Sequence, residues 1–471
     1  MVRDLSVDIC VIGAGSGGLS VAAGASQLGA STVLIERDKL GGDCLHTGCV
    51  PSKALLAAGH AADAVRRAGR FGVRAGPPEI DSAAVYGHVH GVIAAIQPMD
   101  SVERFEGLGV QVIQDTGRFT GPRQVIAGET RISARRFVVA TGSSPFVPPI
   151  PGLDDVAYYT NENIFEATAL PEHLIVIGGG PIGIEMAQAH RHLGARVTLL
   201  ELFKIMPNDD PELVDVVRGA LIEDGIDVRE DIKISRVEKT PDGVRVVLDD
   251  TDPIDGSHLL VAAGRRANVA GLGLDDAGIR YSDKGIEVDA RMRTSDKKVF
   301  AIGDVAGGLQ FTHVAGYHAG IVIKNALFRI PAKAETKTVP WVTYSAPELA
   351  QVGMTEAAAR TAGHQIKVLR WPFHDNDRAL AEGQTRGLVK VISTAKGEIL
   401  GCGIVGAHAG ELIHTWVLAI SQNIKIGGIA QMMAPYPTRG EVSKRAASSY
   451  YTPSLFSERT RRLVRFLSWF G

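Results

Sequence analysis

Cys44 and Cys49 are separated by four residues in the segment GGDCLHTGCVPSK, which spans residues 41–53. Two thiols this close together can form a small disulfide ring that opens and closes during turnover. A helix is expected to begin near Cys49, and a helix N-terminus lowers the pKa of a nearby thiol because it favours negative charge. Lys53, one helical turn later, adds a cation on the same face. The residue types and their spacing therefore predict a redox-active pair rather than a structural bridge.

A stabilising disulfide or a zinc site is the main alternative explanation for these cysteines. The chain has only four cysteines, and its N-terminal segment has no apolar stretch typical of a secretory signal. Cys10 lies in an apolar run and Cys402 in a glycine-rich one, so we expect both to be small buried residues and not ligands. We therefore predict a cytoplasmic protein with no metal site.

The composition is that of a globular protein with several domains. A chain of 471 residues is too long for one hydrophobic core, which predicts about three or four domains. The formal net charge of −2 gives no electrostatic basis for nucleic-acid binding. No apolar run approaches the ~20 residues that span a bilayer. The 54 glycines favour an α/β protein with several tight phosphate-binding turns.

A first nucleotide-binding motif precedes the cysteines. An apolar strand at residues 7–12 runs into Gly13, Gly15 and Gly18, and the strand after the following helix ends in Glu36. The first glycine permits the tight turn, the second lets the backbone approach a pyrophosphate, and the third lets the helix pack on the strand. Glu36 is placed to bind a ribose hydroxyl. Because the glycines are framed by strand, helix and distal acid, the motif predicts a dinucleotide site.

The same unit recurs in the middle of the chain. A strand at residues 173–177 leads into Gly178, Gly180 and Gly183, and the next strand ends in Glu201. Two such sites indicate two dinucleotides, a tightly held flavin and a nicotinamide cofactor. A carboxylate at the end of the second strand repels a 2′-phosphate, so NADH is predicted rather than NADPH. A lysine three residues later leaves NADPH as the less favoured alternative.

Taken together, the motifs resemble the pyridine nucleotide–disulfide oxidoreductase family (class I), in its mercuric reductase-like and dihydrolipoyl dehydrogenase-like branch. The segment VATG at 139–142 and the segment VAAGRRAN at 261–268 are similar to the turns that leave the two nucleotide domains of that family. The segment VFAIGD at 299–304 resembles its second flavin motif, and residues 342–353 resemble the start of its dimerisation domain. The resemblance covers nearly the whole chain.

The resemblance implies an α/β fold with two Rossmann-like dinucleotide-binding domains, for FAD and NAD, and a C-terminal α+β dimerisation domain. It also implies a homodimer. The expected divisions are an FAD-binding domain at 1–150, an NAD(P)-binding domain at 151–270, a central segment completing the FAD site at 271–338, the dimerisation domain at 339–451, and a basic amphipathic tail at 452–471.

The resemblance also implies a role for each matching residue. NADH would reduce FAD, Cys49 would be the thiolate beside the flavin ring, and Cys44 would attack the acceptor. Lys53 and Glu185 would form an ion pair near the ring. The residues expected to bind FAD are Gly13, Gly15, Gly18, Glu36, Gly42, Thr141, Gly142, Gly303 and Asp304. Those expected to bind NAD are Gly178, Gly180, Gly183, Glu201 and Gly264.

The chain departs from dihydrolipoyl dehydrogenase and glutathione reductase near its C-terminus. Those relatives carry a histidine, supplied by the partner subunit, that moves the proton of the outer cysteine. Here Tyr436 stands in that position, followed by Glu441. A phenol with a pKa near ~10 is a poor base at neutral pH, so exchange with lipoamide or glutathione disulfide is disfavoured.

Mercuric reductase also has a tyrosine at this position, but it ends in a vicinal cysteine pair, whereas no cysteine follows Cys402 here. We therefore predict an FAD-dependent enzyme that passes electrons from NAD(P)H through the cysteine pair to a disulfide or soft-metal acceptor. A dihydrolipoyl dehydrogenase-like subunit of a larger complex, or an NADH-dependent flavin or quinone reductase that bypasses the cysteines, remains an alternative. His313 and His318 could contact such a metal or quinone, although packing or capping roles are favoured.

The tail has the pattern of a short basic helix. Residues 454–467 contain four arginines, and an apolar stripe follows helical spacing at Leu463, Phe466, Leu467 and Phe470. Such a helix can lie on an anionic membrane or dock on a partner. A terminal helix more often packs on its own protein, and we favour that interpretation.

Overall fold

The computed structural model describes residues 3–249 and 251–470. Met1, Val2, Asp250 and Gly471 lie outside the described residues, so the outer ends of the predicted segments 1–150 and 452–471 are not described.

The first region alternates strands and helices. Its strands are β1 (Arg3–Ile12), β2 (Thr32–Glu36), β3 (Val110–Gln114), β4 (Gly117–Gly121), β5 (Gln124–Ala127), β6 (Thr130–Val139) and β7 (Ser143–Pro145). Its helices are α1 (Ser16–Gln27), α2 (Gly42–His46), α3 (Cys49–Arg67), α4 (Ser82–Ile96) and α5 (Val102–Gly107). The main sheet has the order β3-β2-β1-β6-β5-β4, with β1, β2, β3 and β6 parallel.

Strand β1 is apolar along most of its length because both of its faces are covered. Ile9 and Val11 pack into one core with Leu19 of α1, while Cys10 and Ile12 pack into the core on the other face. Alternate residues of a strand point to opposite faces, so a continuous apolar run is what a doubly covered parallel strand requires. The carboxyl end of β1 therefore lies at the edge of the sheet where its glycine-rich turn begins.

The second region repeats this design in a smaller sheet. Its strands are β8 (His173–Ile177), β9 (Arg196–Leu200), β10 (Asp227–Arg229), β11 (Ile234–Thr240), β12 (Gly243–Leu248), β13 (Ile254–Gly256), β14 (His258–Val261) and β15 (Arg265–Ala267). Its helices are α6 (Pro181–His192) and α7 (Pro211–Glu223). The parallel sheet has the order β10-β9-β8-β14, and β11, β12 and β13 form an antiparallel sheet beside it.

The chain then returns to the first sheet. This segment contains β16 (Tyr281–Ser282), β17 (Gly285–Ile286), β18 (Val299–Ala301) and α8 (Thr312–Ala326). β18 pairs in parallel with the carboxyl half of β6, from Val299 opposite Phe137 to Ala301 opposite Val139. The start of α8 is thereby brought close to the cysteines, although it lies more than 250 residues after them in the chain.

The C-terminal region is an α+β unit. Its five strands are β19 (Pro340–Thr343), β20 (Glu348–Gly353), β21 (Ile366–Pro372), β22 (Leu388–Thr394) and β23 (Ile399–Gly406). They form an antiparallel sheet in the order β19-β20-β23-β22-β21. Its helices are α9 (Glu356–Thr361), α10 (Asp377–Ala381), α11 (Ala409–Leu412), α12 (His414–Ser421), α13 (Ile426–Gln431) and α14 (Glu441–Ser449). Single 3₁₀ turns along the described chain are Ala68–Phe71, Gln97–Asp100, Leu153–Asp155, Ile164–Glu166, Gly303–Ala306 and Phe373–Asp375.

The tail forms two further helices, α15 (Thr452–Leu455) and α16 (Glu458–Leu467). Our expectation that its apolar stripe packs on its own protein does not hold within one protomer, because Leu463, Phe466, Leu467 and Phe470 are all exposed over more than half of their surface. Among the described residues, no helix has the length and apolarity needed to cross a bilayer.

Candidate active site

A continuous cavity of about 2780 Å³ joins the first, second and C-terminal regions. It is larger than the ~300–1,000 Å³ that one small ligand usually needs. The predicted site residues that line it are Gly13, Gly15, Glu36, Gly42, Cys44, Cys49, Lys53, Thr141, Gly142, Gly178, Gly180, Glu185, Glu201, Gly264, Gly303 and Asp304. The cavity therefore brings the two glycine-rich turns and the cysteines together.

The first glycine-rich turn has the shape of a phosphate cradle. Gly13 has a φ of +103°, and a Cβ there would meet the carbonyl oxygen of Ala140 at 2.4 Å. A Cβ at Gly18 would lie 1.9 Å from the Gly13 carbonyl oxygen, so this position must be glycine for α1 to pack. A Cβ at Gly15 would meet nothing within 4 Å, because that side of the turn faces the open cavity. This arrangement fits the pyrophosphate of FAD at the N-terminus of α1.

The second glycine-rich turn reproduces these distances. A Cβ at Gly178 would lie 2.4 Å from the Ala262 carbonyl oxygen, and one at Gly183 would lie 1.9 Å from the Gly178 carbonyl oxygen. A Cβ at Gly180, again, would meet nothing within 4 Å. The turn therefore fits a second dinucleotide at the N-terminus of α6.

In both nucleotide-binding regions, the glutamate at the end of the second strand accepts the same pair of backbone hydrogen bonds. The Glu36 carboxylate accepts hydrogen bonds from the backbone N–H of Ala14 at 2.6 Å and of Asp38 at 3.0 Å. Glu201 accepts from the N–H of Gly179 at 2.6 Å and of Phe203 at 3.0 Å. Both carboxylates thus stay at the cavity wall, beside their glycine turns, where a ribose hydroxyl can donate to them.

Asp304 belongs to a buried polar network that the sequence did not predict in full. Its carboxylate accepts from the Ser143 hydroxyl at 2.6 Å and lies 3.8 Å from the Arg265 guanidinium, and burial raises its pKa. Arg265 also lies 3.2 Å from Asp43, whose carboxylate accepts from the Asn161 amide at 2.9 Å. The network fixes the segment that carries Cys44 against both nucleotide regions.

The two cysteines lie near the N-termini of two consecutive helices, α2 and α3, and the N-terminus of α8 lies close to Cys49. Cys44 is within α2, and Cys49 is the first residue of the 19-residue α3. The Cys49 sulfur lies 3.5 Å from the hydroxyl of Thr312, which begins α8. Both thiols are free, and Cys10 and Cys402 are fully buried in strands. The N-termini of α3 and α8 both favour negative charge at the Cys49 sulfur.

The hydrogen bond with the Cys44 thiol lowers the pKa of Cys49 to about 6. The Thr312 hydroxyl and the charge of Lys53 act in the same direction, against the opposing effect of burial. That same hydrogen bond raises the pKa of Cys44. At neutral pH the pair therefore holds one thiolate, at Cys49, and one thiol, at Cys44.

We expect the thiolate signal to follow this pKa. Above pH 6 the Cys49 thiolate is present, and as the pH falls through about 6 it takes up a proton and its signal disappears. Ultraviolet thiolate absorbance, and the thiolate–flavin charge-transfer band of the FAD-loaded enzyme, measure the change. Cys44→Ala and Thr312→Val each remove a hydrogen bond to the sulfur and should move the midpoint to higher pH.

The matched control is Thr47→Val, because the Thr47 hydroxyl donates to Asp43 at 2.8 Å and, among the described residues, is hydrogen-bonded to neither sulfur. A midpoint that stays in place in both Cys44→Ala and Thr312→Val would contradict this origin of the low pKa.

Lys53 and Glu185 form an ion pair between α3 and α6, with 2.7 Å between Nζ and Oε2. The other carboxylate oxygen accepts from the backbone N–H of Tyr344 at 3.0 Å, and the Lys53 ammonium lies 4.5 Å from the centre of the Tyr344 ring. Glu185 is only 4% exposed. Both of its carboxylate oxygens therefore have a partner, and the ion pair holds Lys53 at the cavity wall.

Tyr436 and Glu441 do not line the cavity of their own protomer. The Tyr436 hydroxyl donates to Asp377 at 2.9 Å, the ring is 70% exposed, and this hydrogen bond raises the pKa of the phenol further. Glu441 begins α14 and pairs with Arg445 at 2.9 Å. Within one protomer the structure therefore does not bring either residue to the cysteines.

His313 and His318 lie on α8. The His313 Nε2 is hydrogen-bonded to the Pro340 carbonyl at 2.9 Å, and the buried His318 Nδ1 accepts from the Gly303 N–H at 3.4 Å. Burial lowers the pKa of both imidazoles. In the described parts of the chain, no three His, Cys, Asp or Glu side chains are grouped to hold a metal ion.

Comparison with known proteins decides the family. Residues 7–319 match the family model described as pyridine nucleotide-disulphide oxidoreductase, and residues 339–447 match the dimerisation domain of the same family. The chain belongs to the pyridine nucleotide-disulphide oxidoreductase family. This oxidoreductase is an FAD-dependent enzyme that draws on a pyridine nucleotide for disulfide or metal reduction, and its dimerisation domain supports a homodimer. The predicted family, fold class and enzyme class are therefore confirmed.

Its relatives carry several names. The oxidoreductase is 34% identical to a mercuric reductase of Streptomyces lividans over 94% of this chain and 96% of the relative. It is 36% identical to a dihydrolipoyl dehydrogenase of Thermus scotoductus over 95% of this chain and 98% of the relative. Among solved structures, the Cu(II) complex of the HOCl-induced flavoprotein disulfide reductase RclA from Escherichia coli is 25% identical, with a TM-score of 0.86 over 94% of this chain and 99% of that one.

Proposed function

We propose that this oxidoreductase uses NADH to reduce a soft metal ion held by Cys44 and Cys49. The observation that supports the proposal is a thiolate–thiol pair at the cavity wall in a chain that has Tyr436 at the position where the disulfide-reducing relatives supply a histidine from the partner subunit. Thiolates are the ligands that soft metal ions prefer. Disulfide exchange needs an acid that protonates the leaving thiolate, whereas a metal ion needs only the sulfur ligands.

Two of the related proteins are consistent with a metal acceptor. One is a mercuric reductase by name, and the structure of the other is described as a Cu(II) complex. One NADH supplies two electrons, which reduce one ion by two electrons or two ions by one electron each. A disulfide acceptor is the second candidate, favoured by the identity with a dihydrolipoyl dehydrogenase.

Some residues of this chain would bind the cofactors, and others set the charge of the cysteine pair. FAD, when bound, supplies the electron-transfer chemistry. The turn at Gly13 and Gly15, with Glu36 and Asp304, would hold FAD, and the turn at Gly178 would hold the nicotinamide cofactor. Cys49 keeps its thiolate by its hydrogen bonds, and Cys44 keeps its proton until an acceptor binds.

We also propose that the predicted divisions at residues 150, 270 and 338 separate the FAD-binding, nicotinamide-binding, central and dimerisation parts of the chain. We further propose that Tyr436 and Glu441 complete the cysteine site of the partner protomer. The exposed position of Tyr436, away from the cysteines of its own chain, supports this arrangement.

The test of the proposed function is NADH-dependent turnover with soft metal ions, small disulfides and quinones. Wild type should reduce the metal ions, and Cys44→Ser should lower that activity by about 10³-fold, because the acceptor loses one of its two sulfur ligands. The control is Cys402→Ala, which removes a buried thiol outside the cavity. Full metal reduction by Cys44→Ser, or turnover restricted to quinones, would contradict the proposal.

We propose NADH as the donor because the positive charge near Glu201 is already paired. Lys204 forms an ion pair with Asp231, lies 3.9 Å from Glu230 and does not line the cavity. We expect kcat/KM for NADH to exceed that for NADPH by about 10²-fold, and Glu201→Gln to narrow this ratio about tenfold by removing the repelling charge.

The control for the donor preference is Asp227→Asn, which removes a carboxylate from the same sheet but outside the cavity. Equal use of the two cofactors by wild type would contradict the assignment.

A further inference from the structure

The tail leaves the body of the oxidoreductase after α14. Val442 and Ala446 of α14 are buried in the C-terminal core, whereas the described residues from 452 onward contain no buried side chain. The hydroxyl of Ser457 accepts from the Thr460 N–H, and that of Thr460 donates to the Ser454 carbonyl at 2.8 Å. These bonds cap α16 and fix its junction with α15. The tail is therefore an ordered helical element that stands out from its protomer.

One face of α16 is apolar and exposed to solvent. Leu463, Phe466 and Leu467 lie on one stripe of α16, and the ring of Phe470, just past the end of the helix, extends it by packing 5.2 Å from the ring of Phe466. Each is exposed over more than half of its surface, and Trp469 beside them is 85% exposed. An apolar stripe of this size in water is unfavourable, so it is expected to be covered by another phase or molecule.

The opposite face is cationic. It carries Arg461 and Arg465, while Arg462 borders the apolar stripe and Arg459 lies at the start of the helix. Glu458 is the single acid that these arginines contact in the described structure, at 3.2 Å from Arg461 and 3.8 Å from Arg465. The tail thus presents several positive charges that its own protomer does not neutralise.

We propose that residues 452–470 are a reversible anchor that lies in the surface of an anionic lipid bilayer. In this arrangement the apolar stripe enters the boundary between headgroups and acyl chains, and the arginines meet lipid phosphates. Trp469 adds a residue that prefers this boundary. A groove on a second protein would need several carboxylates around an apolar slot, whereas an anionic bilayer offers both features at once. The proposal does not depend on which acceptor the cysteines reduce.

The test is sedimentation of the FAD-loaded full chain with lipid vesicles. Vesicles of phosphatidylcholine with about 30% phosphatidylglycerol should bind at least about tenfold more enzyme than phosphatidylcholine alone, and added salt should release it. The pair Leu463→Ser and Leu467→Ser should abolish binding, and replacing the four arginines by glutamine should do the same. NADH-dependent flavin reduction should be unchanged in both variants, which shows that they are folded.

The matched control is the pair Phe328→Ser and Ile330→Ser, because these side chains are equally exposed but lie outside the tail. That pair should bind vesicles as wild type does. Equal binding to both kinds of vesicle, or binding to neither, would overturn the proposal. It would also fail if the Leu463→Ser and Leu467→Ser pair changed the mass of the enzyme in solution, because the stripe would then cover a second copy of this chain.

Discussion

Cys49→Ser is expected to abolish both the thiolate–flavin charge-transfer band and metal reduction, with a loss in turnover on the order of 10³-fold or more. The reason is that negative charge on the Cys49 sulfur is stabilised by the hydrogen bond with Cys44, the Thr312 hydroxyl, the Lys53 charge and two helix N-termini. A serine hydroxyl keeps the shape but does not ionise at neutral pH. Anaerobic stopped-flow absorbance with NADH measures the band, and steady-state metal reduction measures the turnover.

The comparison variant is Cys44→Ser, which should keep the band and lose metal reduction. A serine hydroxyl at position 44 still donates a hydrogen bond to the Cys49 thiolate, so the charge is retained while one sulfur ligand is removed. The two variants therefore distinguish formation of the Cys49 thiolate, which the band reports, from binding of the acceptor by Cys44. If the band survived in Cys49→Ser and vanished in Cys44→Ser, the assignment of the two cysteines would be reversed.

The parts of the site that could be predicted from sequence are those in which the signal is local. Gly13 and Gly178 each follow an apolar strand and precede a helix, and the structure gives both of them the same close approach, 2.4 Å from a hypothetical Cβ to a carbonyl oxygen of a neighbouring strand end. The backbone at such a turn excludes every side chain, so the residue type itself carries the information. Lys53 was predictable for a similar reason, because its helical phase with Cys49 is a local property.

The residues that escaped prediction reach the site through long-range pairing. Thr312 arrives beside Cys49 because β18 pairs with β6 and directs the chain back to the first sheet. Tyr344 contacts Lys53 only because the C-terminal sheet packs against α6. Arg265 joins Asp43 and Asp304 across two regions. No spacing along the chain reports such contacts, since each depends on how separate sheets are placed in space.

In the tail, the secondary structure could be predicted from the sequence but the exposure of its side chains could not. Its helix and its apolar stripe were predictable from periodicity, because three- and four-residue spacing is visible in the sequence. The exposure of the apolar side chains in the described part of the tail was not predictable, because a stripe that packs and a stripe that stays exposed have the same pattern. Periodicity identifies the face of a helix but not the surface that covers it.

Lys53→Met is expected to destabilise the enzyme and to slow the formation of the Cys49 thiolate–flavin band by about 10²-fold. The substitution leaves the Glu185 carboxylate, which is 4% exposed, without its cation, and it removes a positive charge that lowers the pKa of Cys49. Breaking a fully buried pair costs ~3–5 kcal/mol, but Lys53 is 37% exposed, so solvent screening reduces the expected loss to roughly 1–2 kcal/mol. Urea unfolding measures the stability, and stopped-flow absorbance measures the rate.

The double variant Lys53→Met with Glu185→Gln separates the two effects. It removes the uncompensated carboxylate, so most of the lost stability should return, while the slow formation of the band should remain because the cation is still missing. Lys367→Met is the matched control, since the Lys367 ammonium also lies over a tyrosine ring, 4.1 Å from the centre of Tyr450, and no carboxylate in the described part of the chain forms an ion pair with it. If the double variant recovered the rate together with the stability, Lys53 would act only by holding α3 against α6. If it recovered stability alone, the charge itself would be what supports the Cys49 thiolate.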